Sequence, residues 1–364
     1  MLHFRTVDVF PLILLLVTSS CHKSAIPVQV IKPVVVTPTD TTSKGPYVYT
    51  LVWSDEFNGS GIDATKWSFE TGTGVNGDFG TGQLDRATDR PDNATIVNNV
   101  TNADGGCLAI ITRSETYLDR NYTSARLSSS GKKAWGPGYR IEARIWPQNV
   151  QYKGQGFAFW MMPSEKPSNV DAIMWPQGGE IDIMEYVGAI PAYNLGSVHY
   201  AWFWENNQYL DWDHAHEGAY YSFKYKQVPY TNPTYGGYPP AVGDTTAGSA
   251  GFHVYGINWF TDRMEFSIDT IIYHIHYFND GAAFGNGADG QDQTGNEMIN
   301  MKNVFKSEYS NHFAEWYPFE HNFFILLTAG VGGNDNLTYG GAITPDAVFP
   351  CYTYIDWIRV YRRQ

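Results

Sequence analysis

From Val48 onward the chain holds hardly a stretch with the 3.6-residue apolar repeat of an amphipathic helix, which confines it to a β architecture. Short alternating or apolar runs stand there instead: YRIEARIW, GFAFWMM, FHVYGINW, MEFSIDT, NFFILLTAGV and YTYIDWIRVY, divided by Gly, Asn, Asp and Pro. Many short strands between turns predict an all-β fold, a jelly-roll β-sandwich of two antiparallel sheets. No repeat of roughly 20–50 residues points to a propeller or solenoid. A chain of 364 residues could hold two average domains, but sandwiches of about 200–250 residues or more form one. The reading is one domain over 48–364 with two long interruptions. Ala201 to Pro240 is aromatic and turn-rich and is read as a loop forming a cleft wall; Phe278 to Asn303 is glycine-rich and is read as a surface loop.

The chemistry concentrates in GGEIDIMEY, Gly178 to Tyr186. Along a strand, side chains alternate faces, so Glu180 and Asp182 share one face while Ile181 and Ile183 point the other way. Glu185 is out of phase, five residues after Glu180. One extra residue, a β-bulge at Ile183 or Met184, returns it to the carboxylate face. Two carboxyls about 5–5.5 Å apart across a glycosidic bond are the arrangement of a retaining glycosidase. Crowding by Asp182 would raise at least one pKa and keep a proton donor charged with its proton near neutral pH. A solvated acidic face or a hard-cation site are the plainer readings; acids are disfavoured in strands, and such cation sites draw ligands from loops.

The run E-I-D-I-M-E resembles the catalytic motif of glycoside hydrolase family 16 in its laminarinase-like, bulged form. Its neighbours strengthen the resemblance: LVWSDEFNGSGIDATKWSFE (Leu51 to Glu70), ATDRPDNATI (Ala87 to Ile96), YTSARLSS (Tyr122 to Ser129), GYRIEARI, AFWMMP, GSVHY (Gly196 to Tyr200), FHVYGINWFTDRMEFSIDT, AGVGGN and YIDWIRVY follow in the family's order. The resemblance implies a catalytic cleft on the concave face of the sandwich, with Glu180 as nucleophile, Asp182 as assisting acid and Glu185 as general acid/base. It implies substrate contacts at Trp175 and His199, with Trp202 and Trp204 as further stacking candidates, and no cofactor for catalysis. It also implies a structural calcium held by Glu56, a carbonyl near Gly105, and Asp356. Laminarinase-like members carry an Asn-Glu pair near Gly82 and Gln83 and a Trp-Pro pair at Gly156 and Phe157, so a β-galactan or host glycan competes with β-1,3-glucan as substrate. A lectin on the same sandwich would have no use for three crowded acids, whereas a transglycosylase would share every residue named.

Aromatics make up 16% of the chain, with 12 Trp and 25 Tyr, more rings than a core needs and suited to stacking on pyranose faces. The formal net charge of −13 argues against nucleic acid as a partner; a polysaccharide substrate and a monomeric enzyme are expected. His214 and His216 beside Asp211 and Asp213 lack a recognised ligand spacing and read as a hydrogen-bonded cluster. At the N-terminus, an apolar run from Val9 to Val17 precedes small residues and Cys21, with the anatomy of a lipoprotein signal peptide over 1–20. Cys21 would be lipidated, and residues 21–47, rich in Pro, Thr and Val, would form an extended tether. This predicts an exported protein, attached to membrane only by that anchor or else secreted. Cys107 and Cys351 would then remain, either paired or as separate buried thiols. The resemblance sets their strands side by side, along the seam assigned to calcium.

Overall fold

The computed structural model describes residues 34–36, 47–166, 175, 178–201, 214–223, 248–278, 318–333 and 340–364. Among them there is no α-helix. The strands are, in chain order, β1 (Val34–Val36), β2 (Tyr47–Asp55), β3 (Ser68–Phe69), β4 (Asp85–Ala87), β5 (Ala94–Val97) and β6 (Cys107–Tyr117). Next come β7 (Arg120–Ser124), β8 (Arg126–Ser128), β9 (Tyr139–Trp146), β10 (Gln155–Pro163), β11 (Glu180–Val187) and β12 (Tyr193–Ala201). Then follow β13 (His214–Ser222), β14 (His253–Trp259), β15 (Arg263–Ile268), β16 (Ile271–Tyr277), β17 (Phe323–Val331) and β18 (Cys351–Arg363).

One sheet runs β16-β15-β14-β9-β18-β6-β7-β4, with β2 also against β18, β1 against β2 and β5 against β6. The other runs β13-β12-β11-β10-β17-β8-β3. Pairing is antiparallel throughout except between β4 and β7. The core is the apolar half of the alternation in each sheet. Ile141, Ala143 and Ile145 of β9, Ile355, Ile358 and Val360 of β18, and Tyr255 and Ile257 of β14 come from the first; Phe157, Phe159 and Met161 of β10, Ile181 of β11, and Ile325 and Leu327 of β17 come from the second. Sheets packed face to face about 10 Å apart bury these side chains and leave the opposite faces for polar work. The jelly-roll expectation is met.

Two expectations need correction, and one question left open, whether the cysteines pair, is answered. His214–Ser222, inside the stretch read as a loop, is an edge strand paired along its length with β12, Tyr193 opposite Ser222 through Ala201 opposite His214. Val34–Val36, inside the stretch read as a tether, pairs with Tyr47–Tyr49. Cys107 and Cys351 are both free thiols. Their strands β6 and β18 are neighbours as expected, but the register sets Cys351 opposite Thr112. With Cys107 at the start of β6, about 17 Å of strand lies between the two at ~3.4 Å per residue, well beyond the roughly 7 Å limit for a disulfide.

Candidate active site

A single extra residue arranges the site. On β11, Asp182 lies opposite Ser197 of β12 but Glu185 lies opposite Leu195, so three steps on one strand meet two on the other. The same slip occurs on the far side, where Trp160 of β10 faces Asp182 and Phe159 faces Met184. Ile183 and Met184 both turn into the core, which lets Glu185 rejoin Glu180 and Asp182 on the opposite face. The apolar demand of two adjacent residues thus positions the third acid. Gly179, at φ 83, makes the turn into the strand in a conformation that favours glycine.

The three carboxylates line a cavity of ≈ 400 Å³ together with Trp175, Trp160, Arg126, Gln83 and Phe79. Its floor follows the register: Arg126 of β8 faces Thr328 of β17, Thr328 faces Ala158 of β10, and Ala158 faces Glu185. The small Ala158 leaves room above the sheet beside the acid. The Trp160 indole Nε1–H donates to the Thr328 hydroxyl at 2.9 Å, and the Arg126 guanidinium lies over its ring at 4.8 Å and over Phe79 at 5.1 Å. Phe79 holds φ 55, costly for a bulky residue and a form of strain that gathers at functional sites.

Around the acids the donors carry no net charge. The Trp175 indole Nε1–H donates to Glu180 Oε2 at 2.6 Å. The Ser197 hydroxyl stands 2.9 Å from Asp182 Oδ2 and 3.3 Å from Glu185 Oε2. His199 Nε2 is 3.1 Å from Asp182 Oδ2, and its ring is 5.9 Å from that of Trp175. Burial holds His199 neutral by lowering its pKa to about 3, so Nε2–H is the donor. Burial, then the Asp182 charge, pushes Glu180 well above the usual carboxylate range, against the pull of Trp175. Burial pushes Asp182 up to about 7, opposed by its hydrogen bonds with Ser197 and Glu180. Burial, then Asp182 and Glu180, raises Glu185 well above its ordinary value, opposed by Ser197. Three acids that resist losing protons, in one cavity, can deliver a proton and supply a nucleophile.

Glu180, Asp182 and His199 also stand close enough to offer three ligand atoms within 4.8 Å of one another. The hydrogen bonds just described already engage all three. Trp202 and Trp204, together with Asp211, Asp213 and Cys21, lie outside the described residues; His214 and His216 are placed only as backbone of β13. At the expected calcium position the donors are taken. Glu56 makes a two-point pair with Arg359, at 2.7 and 3.0 Å, while Asp356 pairs with Arg144 and accepts the Asp104 amide at 3.0 Å. Asn58 Oδ1, beside Gly105, accepts the Gly106 amide at 2.7 Å. Carboxylates already neutralised by guanidinium groups do not fit a cation that must displace them. Phe157 belongs to the core, so of the pair Gly156 and Phe157 only the glycine's position bears on the cleft.

Trp160, Arg126, Thr328 and Ser197 went unnamed as site residues in the sequence. For Trp160 a signal existed: in GFAFWMMP the alternation that buries Phe157, Phe159 and Met161 sends Ala158, Trp160 and Met162 to the cleft.

No family model matches the chain. The β-glucanase of Rhodothermus marinus is 29% identical over 337 residues, 89% of this chain and 88% of that protein. The X-ray structure of an endo-β-1,3-glucanase from Pyrococcus furiosus superposes with a TM-score of 0.61 at 26% identity, covering 91% of this chain and 98% of that one. SCLam, a non-specific endo-β-1,3(4)-glucanase from family GH16, superposes at 0.59 with 25% identity, covering 92% and 95%. Motif order, two-sheet fold and bulged acidic strand agree with these likenesses, which support the resemblance to glycoside hydrolase family 16.

Proposed function

We propose that this protein is a retaining endo-glycoside hydrolase that cleaves β-1,3-glucan by double displacement. The observation that carries the reading is the bulge that brings Glu180, Asp182 and Glu185 to one cavity. Glu180 attacks the anomeric carbon while Glu185 protonates the departing glycosidic oxygen; water activated by Glu185 then releases the sugar from Glu180. Asp182 and Glu180 share a proton, so that the nucleophile can ionise while its neighbour stays neutral. His199 and Ser197 donate to Asp182 Oδ2 and leave its other oxygen for Glu180. Trp175, 45% exposed, and Trp160 offer faces on which pyranose rings stack.

Hydrolysis of laminarin with retention of the anomeric configuration, followed by NMR, tests the reading. Glu180→Gln should abolish turnover with the fold intact; an inverted product, or substantial residual hydrolysis, overturns it. The rate should be bell-shaped in pH. Below the acid limb the Glu180–Asp182 pair is fully protonated and there is no nucleophile; above the alkaline limb Glu185 has lost the proton it must donate. The glycine at 82 and amide at 83 keep a β-galactan in view, and agarose and carrageenan belong in the substrate panel.

The relatives' glucanase names support the glucan choice. The TSSC run supports export with a lipid on Cys21, tested by labelling with a fatty-acid analogue, which Cys21→Ser should prevent. A monomer is proposed, checked by light scattering.

A further inference from the structure

Ser197 offers one proton to two carboxylates. It sits buried on β12 opposite Asp182, its Oγ 2.9 Å from Asp182 Oδ2 and 3.3 Å from Glu185 Oε2. One hydroxyl can donate to only one of them at a time. Its seat is kept open from the other side, because the residue opposite on β13 is Gly218, whose missing Cβ would stand 2.7 Å from that of Ser197. Building on the hydrolase reading above, we infer that Ser197 is a positioning residue whose hydroxyl turns between Asp182 and Glu185 as Glu185 loses and regains its proton.

The sequence of states balances. While Glu185 is protonated, Ser197 donates to Asp182, as the shorter distance indicates. When Glu185 has passed its proton to the leaving oxygen, the Ser197 O–H swings to the new carboxylate and keeps its own proton. When water returns a proton to Glu185 in the second half-reaction, the hydroxyl swings back. Asp182 keeps the His199 donor throughout, and Glu180 keeps Trp175. The other ionisable groups near the pair are Tyr273 on β16, whose phenol feels the Glu185 charge, and Arg126 on β8, which lines the same cavity. From β10, Ala158 and Trp160 face the acids and do not titrate; from β13, Gly218 offers no side chain.

The hydrogen bond lowers the pKa of both acids, so Ser197→Ala should move both limbs of the kcat/KM profile toward higher pH, by roughly one unit. We expect kcat on laminarin to fall about tenfold with KM little changed, and Ser197→Thr, which keeps the hydroxyl and has the space beside Gly218, to restore both. If Ser197→Ala does not fold, Ser197→Cys carries the same readout, since a thiol is a weak donor. Limbs that stay at their wild-type pH, or a threonine variant as impaired as the alanine one, overturn the assignment while hydrolysis by the wild type stands. Absence of Glu180-dependent hydrolysis in the wild type instead removes the reading on which it rests.

Discussion

Acids in the two sheets meet opposite partners. In the eleven-stranded sheet, Glu142 pairs with Arg140 at 2.6 Å and Glu265 with Arg263 at 2.9 Å, and just past the end of β2 Glu56 pairs with Arg359 of β18 at 2.7 Å. In the seven-stranded sheet, Glu180, Asp182 and Glu185 receive hydrogen bonds from an indole, a hydroxyl and a neutral imidazole, and their Arg126 neighbour has its Nε on Glu70 at 2.6 Å. Guanidinium pairing makes a buried acid part of the scaffold. Withholding it leaves an acid that holds its proton, which serves catalysis at a cost to stability.

The largest effect should come from upsetting the phase that the bulge gives Glu185. Inserting an alanine between Met184 and Glu185 gives the cleft-facing position after the bulge to the alanine and turns Glu185 toward the core, away from Glu180. Initial rates on laminarin should fall by at least about 10³-fold, with far-UV circular dichroism still reporting the sheets. An insertion variant that hydrolyses at near wild-type rates would show that the phase of Glu185 is not what the site depends on.

Breaking a scaffold pair should act on stability and spare the chemistry. Arg140→Met strands Glu142 in a buried position and removes a donor, 2.9 Å away, from Asn258 Oδ1. Denaturant unfolding should show a loss of about 3–5 kcal/mol, with much of it recovered in Arg140→Met/Glu142→Leu. A loss equal in the double variant would mean that packing, and not the stranded charge, governs this face.

The cleft acids should show the reverse sign, on a smaller scale. Burial raises the folded-state pKa of Glu180, so between its unfolded value near 4.3 and that raised value the folded protein binds more protons, and stability falls as pH rises. Glu180→Gln removes this dependence. At pH 4 the variant and wild type should unfold together; by pH 8 the variant should be the more stable of the two. Equal stability at both pH values would place Glu180 among the well-paired acids and dissolve the contrast.

How much of this was open to reading follows from what period-two alternation encodes. Counting along EIDIMEY located the bulge, since Glu185 is out of phase with Glu180 and Asp182 and two apolar residues separate it from them. The same count read through GFAFWMMP would have placed Trp160 in the cleft. Ser197 and Arg126 could not be found that way, because they reach the acids only through cross-strand register, which one strand's alternation does not specify. His214–Ser222 was hidden by its surroundings: the aromatic, turn-rich sequence on both sides masks a run whose partner is β12.

The pairing of the cysteines stayed open for the same reason, and gives the smallest expected effect. Adjacent strands were correctly anticipated for Cys107 and Cys351, but adjacency leaves the offset along the strands free, and here it is five residues, from Cys107 to Thr112. Each thiol is instead a small apolar filler. Burial pushes both up to about 12, with the Asp356 charge adding to the effect at Cys107, so neither forms the thiolate that reacts. Thiol reagents should therefore find both groups unreactive in the native protein and titrate both after unfolding without reductant. Addition of reductant should leave the melting temperature unchanged. Chelation should leave it unchanged as well, because Arg359 and Arg144 hold Glu56 and Asp356 where a cation would otherwise be needed. A melting temperature that falls with chelator alone would show that calcium displaces those guanidinium groups, and would move Glu56 and Asp356 out of the class of acids held by arginine.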